Sequence, residues 1–545
     1  MSGGTMTSWN YGDIFDVVAG LQPNHTAIVQ GDRTVSWAEL DSTARGLGQW
    51  MLDQGVNQQD KVAIYLYNSP EYLMAVAAAF RIGCVPVNTN YRYGADELTY
   101  LFDNADATVI VFHATFTELV DQVRPKLNKV KAYVFVDDGH GPCPSWATPL
   151  PQAANTQGEG LAPWGRTPDD LVMLYTGGTT GMPKGVMWRQ DDLFGRLNPA
   201  GFRRYSPELG LQGIESDLAE NGPGVTLLPA CPLMHGTGLF TALETLAEGG
   251  TVSLLPSRHF SGDELAGTIE KDSVNVAVIV GDPFGRPLLK ALTDPPNRFD
   301  VSSLTAMMSS GAMWSEEIKQ GLLEVNANMV LIDAFSSSEA LGMGSSISTA
   351  KATRSTAAFT LGPTVIVLDE QGNRVEPGSD TIGMIGVGGR NPIGYYKDEV
   401  KSAATFKEID GIRYSIPGDF ARVLADGSIQ LLGRGSQCIN TAGEKVFPEE
   451  VEEALKTHDA VADACVVGIA DERFGERVVA AVELHDGKSA EIEELISHVK
   501  SRLAHYKAPR QLRLVKTIGR SPSGKMDYGR HKKEAAEFFS TAPTL

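Results

Sequence analysis

Leu174-Tyr-Thr-Gly-Gly-Thr-Thr-Gly-Met-Pro-Lys-Gly185 sets a loop rich in glycine and threonine behind an apolar run, Leu171 to Tyr175. The run predicts a buried strand. Beyond it, Gly177, Gly178 and Gly181 free the backbone to turn its N–H groups inward, while Thr176, Thr179 and Thr180 add hydroxyl donors. Such a nest of donors suits a polyphosphate, and Lys184 supplies positive charge.

The loop is not of the Walker type, which requires glycine directly before its lysine and Ser or Thr directly after it. Pro183 precedes Lys184 here and Gly185 follows. The alternative to a phosphate loop is an ordinary polar turn, and what surrounds the segment must separate the two.

The remainder of the chain supplies the surroundings. At 545 residues it exceeds a single compact core. Its composition, 42% hydrophobic and 21% charged, is that of a soluble enzyme. A formal charge of −20 argues against general attraction to nucleic acid or anionic membrane, so an anionic substrate needs local cations. Five scattered cysteines without CxxC spacing indicate neither a disulfide framework nor a zinc site, and point to a reducing cytoplasm. The opening residues lack the apolar core of a signal peptide, and Tyr72 to Val87 is broken by Arg81, Gly83 and Pro86.

The first 136 residues alternate helix and strand. A strand and an amphipathic helix are predicted over Thr34 to Gly55, and strands at Lys61–Tyr67, Val85–Asn88 and Thr108–Phe112. Ser69 and Pro70 open a helix over Glu71 to Ile82, and another begins near Ala95. Asp137 to Asp169 is expected to be a surface linker. A second alternating series follows, with strands at Val225–Ala230, Thr251–Leu255, Asn275–Val280, Leu304–Met308 and Met329–Asp333. Ser345 to about Leu432 is β-rich. From Gly433 a small α/β module follows, with a long amphipathic helix over Glu491 to His505. Alternation of this kind implies doubly wound, mostly parallel sheets.

The loop and the run Tyr175 to Phe194 resemble the acyl-adenylate-forming (ANL) superfamily of acyl-CoA synthetases, luciferases and adenylation domains. Within it the resemblance is to actinobacterial long-chain and sterol-side-chain fatty-acid–CoA ligases. The other motifs follow in the family's order. Leu331-Ile-Asp-Ala-Phe-Ser-Ser-Ser-Glu339 resembles its Tyr-Gly-x-Thr-Glu segment, with Phe335, Ser336 and Ser338 departing from the usual residues. The match implies Asp333, Ala334 and Phe335 beside the adenine, Ser338 on phosphate and Glu339 on Mg²⁺, for which one carboxylate suffices. Ser310, Gly311 and Ala312 resemble the small-residue strand end that admits adenine and acyl group. Met234, His235, Gly236 and Gly238 lie in a Pro-Leu-x-His segment, which places His235 at the carboxylate pocket and the glycines along the acyl channel.

Asp419, in Tyr414-Ser-Ile-Pro-Gly-Asp419, is implied to bind the ribose hydroxyls, with Arg434 on ribose or phosphate. Gln437 falls at the hinge, where Asp or Lys is usual, and Ala442 and Gly443 border the pantetheine tunnel. Lys525, in Arg520-Ser-Pro-Ser-Gly-Lys525, matches the family's terminal catalytic lysine. An ammonium between a carboxylate and an α-phosphate opposes the repulsion of two anions. Arg473, Arg477, Lys507 and Arg510 are candidate contacts for CoA phosphates.

The resemblance implies a large N-terminal domain, 1–433, of two doubly wound sheets plus a β-rich subdomain. A small mobile α/β C-terminal domain, 434–545, follows a hinge near 434–438. The expected enzyme is a cytoplasmic ATP-dependent ligase that converts a long-chain or steroid side-chain acid to acyl-AMP and then to the CoA thioester. Its substrates are the acid, ATP with Mg²⁺, and coenzyme A; peripheral membrane association and a homodimer are compatible with this class. The rivals are a ligase or adenylation enzyme that loads a carrier protein, a luciferase-like oxygenase, and a non-catalytic nucleotide-binding protein.

Overall fold

The computed structural model describes residues 8–176, 182–296, 298–352, 358–441, 444–471, 475–521 and 526–540, with backbone alone at Arg434, Ser436, Lys445 and Ser540. Of the residues singled out above, Gly177, Gly178, Thr179, Thr180, Gly181, Ala442, Gly443, Arg473 and Lys525 lie outside the described residues. The chain forms two compact units, one of residues 1–356 with 387–415, the other of 357–386 with 416–545.

The first unit holds two sheets. In one, the strands Thr26–Gln30, Thr251–Leu254, Thr226–Pro229, Val276–Ile279, Ala306–Ser309 and Val330–Ser337 lie side by side and parallel, flanked by antiparallel Arg33–Ser36 and Ala340–Ser348. In the other, Leu171–Thr176, Val85–Asn88, Lys61–Tyr65, Ala107–His113, Ala132–Val136 and Thr148–Pro149 are parallel, and Lys184–Arg189 and Gly394–Tyr395 extend the edge antiparallel. Strands in such sheets are buried on both faces, which is why Val85–Asn88 and Ala107–His113 are buried throughout. The helix Pro70–Arg81 begins at the expected place, although the Ser69 side chain makes no capping bond.

Three expectations are corrected. Residues 137–169 are more than a linker: they contain the helix Leu150–Ala154, which packs on the helix Trp37–Asp53. The approach is so close that a Cβ on Gly46 would meet the Ala154 carbonyl oxygen at 1.7 Å. The strand expected to end at Asp333 continues to Ser337, because Ala340–Ser348 pairs back along it and turns Ser338 and Glu339 into a hairpin tip. The helix expected over Glu491–His505 stops at Lys500, where Arg502 and Leu503 both return their N–H groups to the Val499 carbonyl.

In the second unit, Asp419–Val423 and Ile429–Arg434 form an antiparallel ladder, and Ile382, Gly383 and Met384 pair with Arg422, Ala421 and Phe420. A further sheet is centred on the antiparallel pair Val461–Asp471 and Gly475–Leu484. Gln511–Val515 lies parallel to the latter, and the helices Pro448–Lys456, Ile492–Lys500 and Tyr528–Ser540 accompany the sheet. Among the described residues, no helix is long and apolar enough to cross a membrane.

Candidate active site

Parallel strands discharge their loops at one edge, and in open α/β sheets that edge binds ligands. In the first unit the carboxyl ends of Thr226–Pro229, Val276–Ile279, Ala306–Ser309 and Val330–Ser337 lie in register, with Ser309 beside Asp333 and Ile279 beside Ser309. The predicted segments at Met234–His235 and Ser310–Ala312 therefore leave the sheet beside Asp333–Phe335, which remain paired within the longer strand Val330–Ser337.

Two asparagines, Asn88 buried and Asn68 half-buried, tie this edge to that of the other sheet. Asn88, at the end of its strand, donates to the carbonyls of Tyr175 (3.0 Å) and Met234 (2.6 Å) and accepts from the Tyr175 N–H (2.5 Å). Asn68 donates to the Cys231 carbonyl at 3.0 Å and accepts from the Leu233 N–H at 2.7 Å. A single amide side chain offers both donors and an acceptor, so it can hold two chain segments at once. The phosphate-loop strand and the His235 segment are thereby fastened together. Neither asparagine carries a local motif; a polar residue ending an apolar strand is the only signal each leaves.

His235 is half-buried at the N-cap of the helix Gly236–Ala247, and its side chain makes no capping bond. Met234 is buried. Gly238 has a packing reason of its own, since a Cβ there would meet the Pro232 carbonyl oxygen at 2.6 Å. Gly236 faces Leu174 and Phe240.

Gly311 has φ of +93°, a conformation open to glycine, and follows the buried Ser310. The loop beyond Ala312 is clamped to the neighbouring strand's exit: the Asp282 N–H donates to the Met313 carbonyl, while the Ser315 N–H and hydroxyl both donate to the Asp282 carboxylate. Asp333 is buried close by. Burial raises its carboxyl to about 7; Lys319 opposes the rise and Asp282 adds to it. Lys319 is itself only 1% exposed, on the helix Glu316–Val325, and no sequence pattern pointed to it.

Thr176 and Lys184 face each other as the last pair in the antiparallel ladder of Leu171–Thr176 and Lys184–Arg189. The Lys184 ammonium forms an ion pair with Asp398 and lies 5.8 Å from the centre of the Tyr395 ring. Asp398 also caps the helix Glu399–Thr405, and its carboxyl is held below the usual range, chiefly by the bond from Lys184. The Tyr395 hydroxyl donates to the Glu339 carboxylate at 2.9 Å. Glu339 is buried at its hairpin tip, where Trp188 donates to the Ser338 carbonyl (2.9 Å) and Ser415 to the Glu339 carbonyl (2.6 Å). Lys184, Tyr395 and Glu339 thus stand in a row: a cation, a ring with a polar tip, and a carboxylate.

Among the described residues, no group of three or more His, Cys, Asp or Glu side chains could hold a metal ion by itself. The hard oxygens of Glu339 and its serine neighbours suit a Mg²⁺ whose remaining ligands are nucleotide phosphates, since such an ion takes one or two carboxylates.

In the second unit Asp419 is buried and stands opposite Arg434 in its ladder. Gln437 is half-buried and ends the short 3₁₀ turn Gly435–Gln437, whose first N–H donates to the Gly418 carbonyl at 3.0 Å. Of the candidate CoA cations, Lys507 pairs with Glu450 at 2.6 Å and Arg477 with Asp471 at 3.7 Å.

Residues 15–396 match the model of the AMP-binding enzyme family, and residues 450–525 that of the AMP-binding enzyme C-terminal domain. The chain belongs to the AMP-binding enzyme family. It is 42% identical to a 3-oxocholest-4-en-26-oate–CoA ligase of Rhodococcus rhodochrous, over 95% of this chain and 94% of that protein. It is 39% identical, over 97% and 96%, to a medium/long-chain-fatty-acid–CoA/3-oxocholest-4-en-26-oate–CoA ligase of Mycolicibacterium smegmatis. It is 36% identical, over 97% and 99%, to the medium-chain acyl-CoA ligase Mig of Mycobacterium avium. Among solved structures, the anthranilate CoA ligase AuaEII with anthranoyl-AMP shares the fold, with a TM-score of 0.82 at 19% identity over 98% of both chains. ATP-bound MatB from Rhodopseudomonas palustris does so with a TM-score of 0.78 at 23% identity, over 96% of this chain and 99% of MatB. The family places the Lys184–Tyr395–Glu339 row in a protein that handles adenylates.

Proposed function

We propose that this family member is an AMP-forming acid–CoA ligase whose acid is a long-chain fatty acid or a steroid carrying a side-chain carboxylate. The row of Lys184, Tyr395 and Glu339 beside the hairpin loop carries this reading: it sets a carboxylate for a phosphate-bound Mg²⁺ next to a cation for the phosphates themselves. The relatives named as fatty-acid and steroid-acid CoA ligases support the substrate class.

In the first step the acid's carboxylate oxygen attacks the α-phosphorus of ATP and pyrophosphate leaves. The loop after Thr176 receives the phosphates, Asp333 and Phe335 receive the adenine, and Asp419 with Arg434 the ribose. Glu339 would hold Mg²⁺ there, and the ion would supply charge neutralisation at the phosphates. Lys525 bridges the two anions as they meet. In the second step the body beyond a hinge at 434–438 turns about Gln437 and withdraws Lys525. The CoA sulfur then attacks the acyl carbonyl and AMP departs. His235 lies beside the reacting carboxylate, and the enzyme works in the cytoplasm.

The test is pyrophosphate release by the full-length protein across acids from acetate to C24 steroid acids, with and without CoA. Release with long-chain or steroid acids and formation of their CoA thioesters is the expected result. Acyl-AMP that accumulates without thioester would reassign the protein to carrier loading, and no pyrophosphate with any acid would overturn ligation.

A further inference from the structure

The strand Lys184–Arg189 joins two places in the first unit. Lys184, at its start, belongs to the row described above, whereas Arg189, at its end, lies about 17 Å further along. There Arg189, Asp192, Asn391, Ile393 and Arg413 line a cavity of about 310 Å³ that no step of the proposed reaction uses.

Arg413, on the strand Ile412–Ser415, is half-buried beside this cavity. A terminal nitrogen donates to the Ile393 carbonyl at 3.0 Å, and the guanidinium lies 4.7 Å from the centre of the Phe406 ring. Among the described residues no carboxylate pairs with it. Burial lowers its pKa; the charge of Asp192 opposes that fall and the charge of Arg189 adds to it. Asp192 is committed elsewhere: 6% exposed on the helix Gln190–Leu197, it pairs with Arg189 at 2.7 Å and with Arg390 at 3.4 Å. Arg189 also meets Asp169 at 3.3 Å, a largely exposed carboxylate outside the cavity wall. Arg413 is thus a guanidinium without a counter-charge of its own.

Asn391 adds an acceptor to the wall. It is 3% exposed, and its amide nitrogen donates to the carbonyls of Val387 (2.7 Å), Gly389 (3.3 Å) and Arg413 (3.4 Å). Three carbonyls on one side fix the amide's orientation, and its Oδ1 is buried without a partner. A buried acceptor left without a donor is costly. The cavity therefore offers guanidinium N–H groups together with an unmet acceptor, and an ionised carboxylate beside them.

That combination discriminates among anions. Sulfate and ionised carboxylates bring only acceptors, so they serve the arginines, leave Asn391 unmet and face the charge of Asp192. A phosphate group brings negative charge and, with a second pKa of about 6 in a monoester, retains a P–OH in part of its population near neutrality. Planar guanidinium forks suit its oxygens. We propose that this cavity is a second anion site, selective for a protonated phosphate group: Arg413 and Arg189 donate to the phosphate oxygens, and the P–OH donates to Asn391 Oδ1. The site stands apart from the nucleotide row and does not depend on the ligase reading.

The test is a calorimetric titration of inorganic phosphate into the full-length protein at constant ionic strength and about pH 6.5, with sulfate in parallel. Phosphate should bind at least about tenfold more tightly than sulfate, and Arg413→Gln should weaken it by about tenfold to a hundredfold. Ile393→Glu, which sets a carboxylate at the exposed rim, should weaken it as well. Lys184→Met, at the other end of the strand, should leave this component unchanged. Vesicles of phosphatidylcholine with phosphatidic acid separate two sources of the same group: cosedimentation lost in Arg413→Gln assigns a lipid headgroup, and phosphate binding without cosedimentation assigns a soluble phosphomonoester.

No heat with phosphate would overturn the proposal, and so would equal affinity for sulfate, which needs no acceptor. Binding lost in Lys184→Met and kept in Arg413→Gln would return the phosphate to the nucleotide row and leave this cavity without a ligand. Should Arg413→Gln fail to fold, Ile393→Glu decides between the same outcomes.

Discussion

The Tyr395 hydroxyl donates to the Glu339 carboxylate at 2.9 Å, while the Tyr395 ring faces the Lys184 ammonium at 5.8 Å. One side chain therefore orients the candidate Mg²⁺ carboxylate and shelves the candidate phosphate cation. Hydrogen bonds to charged groups contribute about 1.5–3 kcal/mol. Tyr395→Phe, which keeps the shelf and loses the bond, should lower kcat/KM for adenylation by about tenfold to a hundredfold and raise the Mg²⁺ concentration needed. A magnesium titration of pyrophosphate release checks this, and an unchanged titration curve would remove Tyr395 from the site.

Asp398 neutralises the one lysine of the phosphate hairpin. Asp398→Asn keeps a helix-capping oxygen for the Lys401 N–H and removes the charge. Half-exposed pairs contribute about 1 kcal/mol or less, so the KM for ATP should fall by no more than about fivefold. Lys184→Met should raise it. A KM that rises in Asp398→Asn would show that the aspartate holds the lysine in its working pose and does not compete with ATP for it.

Asn88 satisfies three buried backbone groups, the Tyr175 N–H and carbonyl and the Met234 carbonyl. Leaving such groups unpartnered costs about 1–3 kcal/mol each, and relaxation recovers part of that. Asn88→Ala should destabilise the protein by on the order of 3 kcal/mol, seen as an earlier thermal or urea transition of the first unit. Asn88→Asp returns the acceptor without the donors, and should recover only part of the loss.

The raised Asp333 carboxyl, at about 7, makes two opposite predictions for stability and binding. Its pKa in the fold exceeds that of the unfolded chain, so its contribution to stability is full below about pH 4 and is lost as pH rises through about 7. Asp333→Asn should therefore match the parent near pH 4 and exceed it in melting temperature at pH 8. Acceptance of a hydrogen bond from adenine favours the ionised form. The KM for ATP should accordingly rise as pH falls below about 7 in the parent and stay flat in Asp333→Asn. A parallel pH profile in both proteins would separate Asp333 from the nucleotide.

Much of the architecture was legible because it is written locally. The apolar run Val85–Asn88, the proline that opens the helix at Pro70 and the strand before the glycine–threonine loop all depend on neighbours within a few residues. The strand that ran on to Ser337 was not legible, since its length depends on a partner returning from beyond Glu339. Residues 137–169 misled for a related reason. Their Pro, Gly and Ser content signals loop, yet the short helix within them is stabilised by Gly46 admitting its backbone.

The sequence alone determined the alternation of strands and helices, the order of the motifs, and the kinds of atoms available to a nucleotide: hydroxyls, backbone N–H groups, and the charged side chains of Lys184, Lys525, Asp333, Glu339, Asp419 and Arg434. Tertiary structure decided which side chains those atoms answer to. Lys184 meets Asp398 across 214 positions, Asn88 meets Met234 across 146, and Glu339 meets Tyr395 across 56. Periodicity and capping act over one or two turns of chain, whereas a hydrogen bond or ion pair needs two atoms within about 3 Å, and only the packing of sheets brings such distant residues that close.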